Sequence, residues 1–403
     1  MPSADAFASR NGRREAIRVL SIIGTRPEVI KMAPVIRALE KRPETFRHSL
    51  VTTAQHREML DQVLRAFRLR ADVDLDLMEP DHKIGSFAAR AMKALTELFA
   101  SARPDVVLIQ GDTTTVLTAA LSAFWQHVPL GHVEAGLRSG DRQQPFPEEL
   151  NREVAGLAAR FHFAPTVRAR ENLLAQNVSP DRVFVTGNPI VDALEMLALD
   201  PGFNLASLAG LDFDQERVIL VTAHRRENHG APLVSVCRAI RLLTERFPDV
   251  RVVFPVHLNP RVQAVVHNEL GGVSQVLLTD PLDYEDLLRL MRRCCLILTD
   301  SGGIQEEAPS FHKPVLVLRE VTERPEAVEA GLAMLVGTKA ESILSAATRL
   351  LEDASAYRAM TAGTNPFGDG RAGERIAAIL ARELRGQASA DDHLDWVATG
   401  AVK

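Results

Sequence analysis

The chain has 403 residues, and its 47 lysines and arginines against 52 aspartates and glutamates give a formal net charge of −5. With 46% apolar and 25% charged residues and no basic block, it reads as a globular protein of two or three domains for which nucleic acid is a poor partner. No apolar run reaches the roughly 18 residues of a membrane span, residues 1–16 lack the apolar core of a secretory signal, and Cys237, Cys294 and Cys295 form no CxxC pair; a cytoplasmic protein with buried, reduced thiols is expected.

From residue 16 to about residue 337 short apolar runs alternate with longer amphipathic segments. Strands are predicted at 17–24, 48–53, 106–111, 130–134, 161–164 and 183–187, and a second series at 218–224, 252–257, 276–280, 295–300, 315–318 and 333–337. Helical segments between nearly all of them predict parallel sheets with crossover helices. So many strands exceed one comfortable open sheet. The alternation pauses over 186–210, where Gly187-Asn188-Pro189 and Pro201-Gly202 place an interdomain hinge. The predicted fold is α/β, with two Rossmann-like domains facing a central cleft and ligand at the strand C-termini. Residues 17–187 form the first domain and 188–371 the second. The closing helix, 372–385, crosses back to the first; 1–16 is expected to be a disordered extension and 386–403 a mobile tail.

In the first half the strand ends carry charge. The first strand ends in Gly24-Thr25-Arg26-Pro27-Glu28, and Pro27 suits the start of a helix. Arg26 and Lys31 lie about one turn apart on that helix, either as anion binders or as part of a solvated face. Asp112, after the strand 106–111, suits a helix N-cap or a carboxylate for chemistry. Glu134 ends the next strand, beside a functional cleft or in a plain salt bridge. A polar loop at 137–144, flexible enough to be a lid, leads to Pro147, Glu148 and Glu149 at a helix start, where acids are favourable in any case.

In the second half His224-Arg225-Arg226 ends a strand and favours anion contact over a surface charge cluster. His257 ends the next strand. The run Leu296 to Glu326 reads as strand, glycine turn, helix, strand and charged loop. Ser301-Gly302-Gly303 between strand and helix offers backbone N–H groups and a helix N-terminus to phosphate. Glu307 follows about 9 Å further along at helical rise, where an acid repels phosphate but accepts the hydroxyls of a ribose. Arg324 supplies charge for a diphosphate. This stretch is neither a Walker A loop nor GxGxxG, and no histidines and carboxylates have zinc spacing, so no metal is expected.

Together GTRPEVIKMAP, TAQHREMLDQV, GDTTT, GHVEAGLRSGD, PFPEELNR, TGNPIVDAL, HRREN, PVHLNP and LTDSGGIQEEAPSFHKPVLVLRE with TERPEA resemble the non-hydrolysing UDP-N-acetylglucosamine 2-epimerases. The motifs occur in family order from about Arg18 to Arg382. The resemblance implies a GT-B-like two-domain fold, no cofactor, and interconversion of UDP-GlcNAc and UDP-ManNAc that supplies ManNAc for surface polysaccharide. It makes Asp112, Glu134 and Glu148 the acid/base carboxylates, without assigning which takes the C2 proton. His224 contacts diphosphate and sugar. Arg26, Lys31, Ser301, Gly302, Gly303 and Arg324 hold uridine diphosphate, Glu307 the ribose, and the loop 281–287, with Leu282 and Leu287, the uracil. Gln55, Arg225 and His257 match a pocket for a second UDP-GlcNAc, an activator; Glu58 stands where the family often has glutamine. A homodimer is also implied.

The chemistry fits the carboxylates. The C2 proton of a nucleotide sugar is not next to a carbonyl, so direct abstraction is very hard. Transient oxidation needs a nicotinamide, but the turn after the first strand, where a dinucleotide site would place GxGxxG, has one glycine, and neither Tyr284 nor Tyr357 is followed four residues later by lysine. Anti elimination of UDP to 2-acetamidoglucal, and re-addition, needs acid and base groups and stabilisation of the diphosphate. Competing readings are a 2-epimerase of a modified UDP-GlcNAc (a uronic acid or 3-acetamido sugar), a GT-B glycosyltransferase, and a nucleotide-sugar sensor. The sensor has no need of the three carboxylates.

Overall fold

The structure, a computed structural model, describes residues 15–53, 57–78, 83–197, 203, 206–386 and 396. The expected N-terminal extension apart from Glu15 and Ala16, the expected tail apart from Gly386 and Trp396, and Gln55 lie outside the described residues. The chain divides into two compact units. One runs up to Pro189 and resumes over Arg371–Trp396; the other runs from Ile190 to Gly370.

The first unit is built on β1 (Ile17–Ile23), β2 (Phe46–Thr52), β3 (Val73–Asp74), β4 (Val106–Gln110), β5 (Leu130–Val133), β6 (Phe161–Ala164) and β7 (Val183–Val185). All pair in parallel in the order β3-β2-β1-β4-β5-β6-β7. β4 is buried at every position, which is why it reads as an unbroken apolar run rather than an alternating one. The chain moves outward from β1 to β3, then returns to lay β4 on the other side of β1. That reversal creates a switch point, where the loops after β1 and β4 stand side by side. They carry Gly24-Thr25-Arg26 and Gly111-Asp112-Thr113.

The helix Arg26–Glu40 follows β1 with proline in its first turn, where the missing N–H is no loss. The helix Ala372–Arg385 packs on it. A side chain on Gly373 would place its Cβ 2.7 Å from the carbonyl oxygen of Pro34, so this close approach requires glycine.

The second unit repeats the plan with β8 (Arg217–Thr222), β9 (Val250–Pro255), β10 (Val276–Thr279), β11 (Leu296–Thr299), β12 (Val315–Val317) and β13 (Ala333–Leu335). They are parallel in the order β10-β9-β8-β11-β12-β13. Its switch point lies between β8 and β11, whose following loops carry His224-Arg225 and Asp300-Ser301. Phe87, Phe99 and Phe163 in the first unit and Phe254 in the second are fully buried; each side chain contributes about 1.5–3 kcal/mol by leaving water.

Two details differ from the sequence expectation. β3 was not expected, because two residues within a charged stretch leave no pattern. Several strands also end earlier than expected, so that Gly24, Glu134, His224 and His257 lie in the loops beyond β1, β5, β8 and β9.

Candidate active site

In the first unit the loops beyond β4 and β5 each carry a carboxylate held by a cation. Glu134 adopts a left-handed backbone, φ 61°, a region that L side chains enter rarely and at a cost of order 1 kcal/mol or more. Lys31, from the helix after β1, places Nζ 2.5 Å from Glu134 Oε1, and both side chains are buried. Gln110, at the end of β4, donates to Oε2, and Asn188 donates to Oε1 at 3.3 Å. Donors from three separate segments thus converge on one acidic side chain.

Asp112 is held from the helix Glu148–Ala158. Arg152 Nη2 stands 2.5 Å from Asp112 Oδ2, and Asn151 Nδ2 donates to the Asp112 carbonyl at 2.9 Å. Behind the turn, His132 Nε2 donates to the Gly111 carbonyl at 2.8 Å. Burial pushes the His132 pKa down to about 3, so it serves as a neutral donor. The adjacent acids Glu148 and Glu149 have separate environments. Glu149 is fully buried and accepts the N–H groups of Ser139 and Gly140 at 3.0 and 3.1 Å, fixing the loop before the helix. Glu148 is half-buried, and among the described residues its side chain has no hydrogen bond or ion pair; the same is true of Arg26.

In the second unit Asp300 is the organising residue. It is fully buried, and its Oδ2 accepts the backbone N–H of His224, that of Arg225 and the Nδ2 of Asn228, each at 2.9 Å. Its Oδ1 lies 3.2 Å from His224 Nδ1. Burial pushes the Asp300 pKa up, but the bonds and charge from His224 and the backbone donors outweigh it, leaving it below the usual carboxylate range. With Nδ1 on Asp300, Nε2 of His224 is left for a ligand. The His257 ring stacks on His224 at 5.9 Å between centroids and 14° between planes. Its pKa is lowered by burial and then by its histidine neighbours.

Next to this histidine lies the Ser301-Gly302-Gly303 turn. A Cβ on Gly302 would stand 3.7 Å from Arg225 Nη2 and 3.9 Å from Arg324 Cζ. Two guanidinium groups therefore flank the turn, an arrangement suited to phosphate oxygens. Arg324 is itself anchored on buried Glu306. Arg225 lies 3.8 Å from Glu323. Glu307 is buried and accepts the Tyr284 hydroxyl at 3.0 Å; Leu282 and Leu287, around Tyr284, are half-buried. Among the described residues no group of three or more His, Cys, Asp or Glu is placed to hold a metal ion.

A family model for UDP-N-acetylglucosamine 2-epimerase matches residues 37–381. The chain belongs to the UDP-N-acetylglucosamine 2-epimerase family. It is 48% identical over 370 residues to the UDP-N-acetylglucosamine 2-epimerase of Yersinia pestis, covering 90% of this chain and 98% of that one. The corresponding protein of Escherichia coli strain K12 is equally similar, at 48% over 370 residues with the same coverage. Among solved structures, the Neisseria meningitidis UDP-GlcNAc 2-epimerase bound to UDP-GlcNAc superposes with a TM-score of 0.83 at 42% identity, covering 91% of this chain and 100% of that one. The Methanocaldococcus jannaschii enzyme in complex with UDP-GlcNAc and UDP gives 0.74 at 33% identity, with 90% and 99% covered. The family resemblance carried by the motifs and the GT-B-like pair of parallel α/β domains are thereby established.

The structure brings Lys31 onto Glu134 and gathers His224, Arg225, His257, Gly302 and Arg324 around one turn. It also adds residues that sequence reasoning left unassigned: Gln110, Asn151, Arg152, Asn188, Asp300 and Tyr284. Asn151, Arg152, Asn188 and Asp300 all lie inside motifs quoted for the family, so the signal was present. What was missing was which element each would face.

Proposed function

We propose that the protein interconverts UDP-GlcNAc and UDP-ManNAc by eliminating UDP and adding it back, with no nicotinamide cofactor. The observation that carries this is the pair Asp112 and Glu134, acids at the ends of neighbouring strands, each beside its own buried cation. Glu148, without a partner among the described residues, sits one helical turn from the Arg152 that holds Asp112. In the reaction one carboxylate takes the C2 proton while the C1–O bond breaks, its electron pair leaving with the diphosphate and the C1=C2 bond of 2-acetamidoglucal forming. Return delivers a proton to the opposite face of C2 as a diphosphate oxygen bonds C1. Arg225, Arg324 and the Ser301–Gly303 N–H groups suit the departing diphosphate, with His224 Nε2 and Arg26 as further donors. Glu307, steadied by Tyr284, accepts the ribose hydroxyls, and Leu282 and Leu287 lie along the uracil.

The bound UDP-GlcNAc of the Neisseria relative supports this substrate. By the family resemblance, the product supplies ManNAc for surface polysaccharide, and Arg225 and His257 belong to a second, activating UDP-GlcNAc site; a cytoplasmic location is proposed from the cysteine pattern. Gln55 and the Glu58 side chain lie outside the described residues. Among the described residues no helix is long and apolar enough to cross a membrane. A homodimer is also proposed, supported by Phe124, Trp125 and Leu157, which are 61%, 51% and 82% exposed on packed neighbouring helices. The deciding experiment is incubation with UDP-GlcNAc in D2O without added NAD. Deuterium at C2 and appearance of UDP-ManNAc are expected; a retained C2 proton with a C4 epimer or a transferred sugar would overturn the reading.

A further inference from the structure

We propose that Glu28 is a positioning residue for Asp112, acting through the hydroxyl of Thr113; this rests on the reading of Asp112 as an acid/base carboxylate. β1 and β4 are neighbours, with Ser21 opposite Leu108, so the turns that follow them meet. Glu28 stands in the first turn of the helix after β1. Its Oε2 accepts the N–H groups of Gly24 and, at 2.9 Å, Thr25, as a glutamate does when it caps its own helix. Its Oε1 does something a cap does not need: it accepts the Thr113 hydroxyl at 2.5 Å, across 85 residues of sequence. Thr113 Oγ1 in turn accepts the Val116 N–H at 3.3 Å and caps the helix Thr114–Trp125. One carboxylate therefore ties together the turn after β1, the turn after β4 and the helix that follows.

Helix capping alone does not explain the burial of this group. Glutamates at that position usually lie at the surface, whereas Glu28 is 1% exposed. Burial and the nearby Asp112 charge push its pKa up to about 7 despite three donors. The fold accepts an unfavourably buried acid where it reaches the residue next to Asp112. The contact is close because Gly24 has no side chain: a Cβ there would collide with the Thr53 and Thr115 hydroxyls, which bond each other at 2.9 Å. Arg152 and Asn151 hold Asp112 from one side; Glu28 and Thr113 hold it from the other. A carboxylate that must meet one face of C2 needs both, since a displacement of about 1 Å in a reacting group can lower a rate about 100-fold.

The test measures kcat and KM for UDP-GlcNAc conversion. Thr113→Val, which keeps the shape and removes the hydroxyl, is expected to lower kcat roughly 10- to 100-fold and leave KM within about twofold, as for an interaction felt only in the transition state. Thr113→Ser restores most of the loss. Glu28→Asp, one methylene short of Thr113, behaves like Thr113→Val; if it fails to fold, the threonine series alone decides. In the Asp112→Asn background, Thr113→Val is expected to change the residual C2 exchange by less than about twofold, because the two act as one unit. Unchanged kcat in Thr113→Val, or an equal loss in both backgrounds, overturns the inference while the epimerase reading stands. A wild type silent with UDP-GlcNAc removes that reading and this inference with it.

Discussion

Lys31 and Glu134 show what one residue contributes here. Both are buried, 2.5 Å apart, and removing one partner of such a pair leaves an uncompensated charge. Lys31→Met is expected to destabilise the protein by about 3 kcal/mol, the low end for a broken buried pair, because Gln110 and Asn188 still donate to Glu134. Urea unfolding checks the number, and an unchanged midpoint would refute it. Asp300 is expected to work differently, through its Oδ1 lying 3.2 Å from His224 Nδ1. Asp300→Asn keeps an oxygen for the three N–H donors but turns an amide towards His224 Nδ1, which must then become an acceptor with its proton on Nε2. Loss of turnover by roughly 100-fold or more is expected, as in hydrolase triads with the same change. Nitrogen NMR should show the tautomer switched, and a switched tautomer with full turnover would dismiss the role. The sequence marked Lys31, Glu134 and His224 as chemistry-bearing. It did not pair them, because 103 positions separate Lys31 from Glu134 and 76 separate His224 from Asp300. Strand order, not spacing, brings them together.

Elements were more legible than contacts. Buried parallel strands such as β4 and β11 announce themselves as unbroken apolar runs between amphipathic segments, whereas β3 has two residues and no pattern. The overshoot at the ends of β1, β8 and β9 has a common cause: the apolar signal fades into small or polar loop residues with no marker where pairing stops. Those loops hold side chains proposed for the site. The loop after β12 shows how one is fixed. Arg319 lies 2.7 Å from Glu323 and 2.8 Å from Glu227, and Arg225 stands on the other side of Glu323. Burial pushes the Glu323 pKa up, but Arg319 and Arg225 outweigh it and bring it down to about 2 from an ordinary 4.5. A depressed carboxylate stabilises the fold above its unfolded pKa, and that contribution is lost as pH falls through the folded value. Glu323→Gln is therefore expected to be less stable than wild type near neutrality, the gap closing as pH falls from about 4.5 to about 2. Thermal melts across that range check it; a gap that widens in acid would contradict the ion-pair account.

At the scale of the whole molecule, both units use the same plan, a doubly wound sheet whose first and fourth strands in chain order flank the switch point. The polar residues proposed for the site concentrate in the loops beyond those strands and their neighbours, and the outer helices present other surfaces. On the first unit that surface is unusually apolar. Phe124 and Trp125 end one helix, and Leu150 and Leu157, seven residues apart on one face, belong to the helix packed beside it. Leu157 is 82% exposed and Phe124 61%, so neither contributes much to the core of its own unit. Grouped exposed apolar side chains are what a self-associating surface requires, since covering them returns about 25 cal/mol per Å2. In a two-fold dimer each substitution also enters the interface twice. Leu157→Arg is expected to convert a dimer into a monomer while leaving the fold of each unit intact. Sedimentation velocity, with circular dichroism as the control for folding, checks this at micromolar concentration. A wild type that sediments as a monomer would remove the dimer altogether. A Leu157→Arg variant that stays dimeric would move the interface away from these two helices.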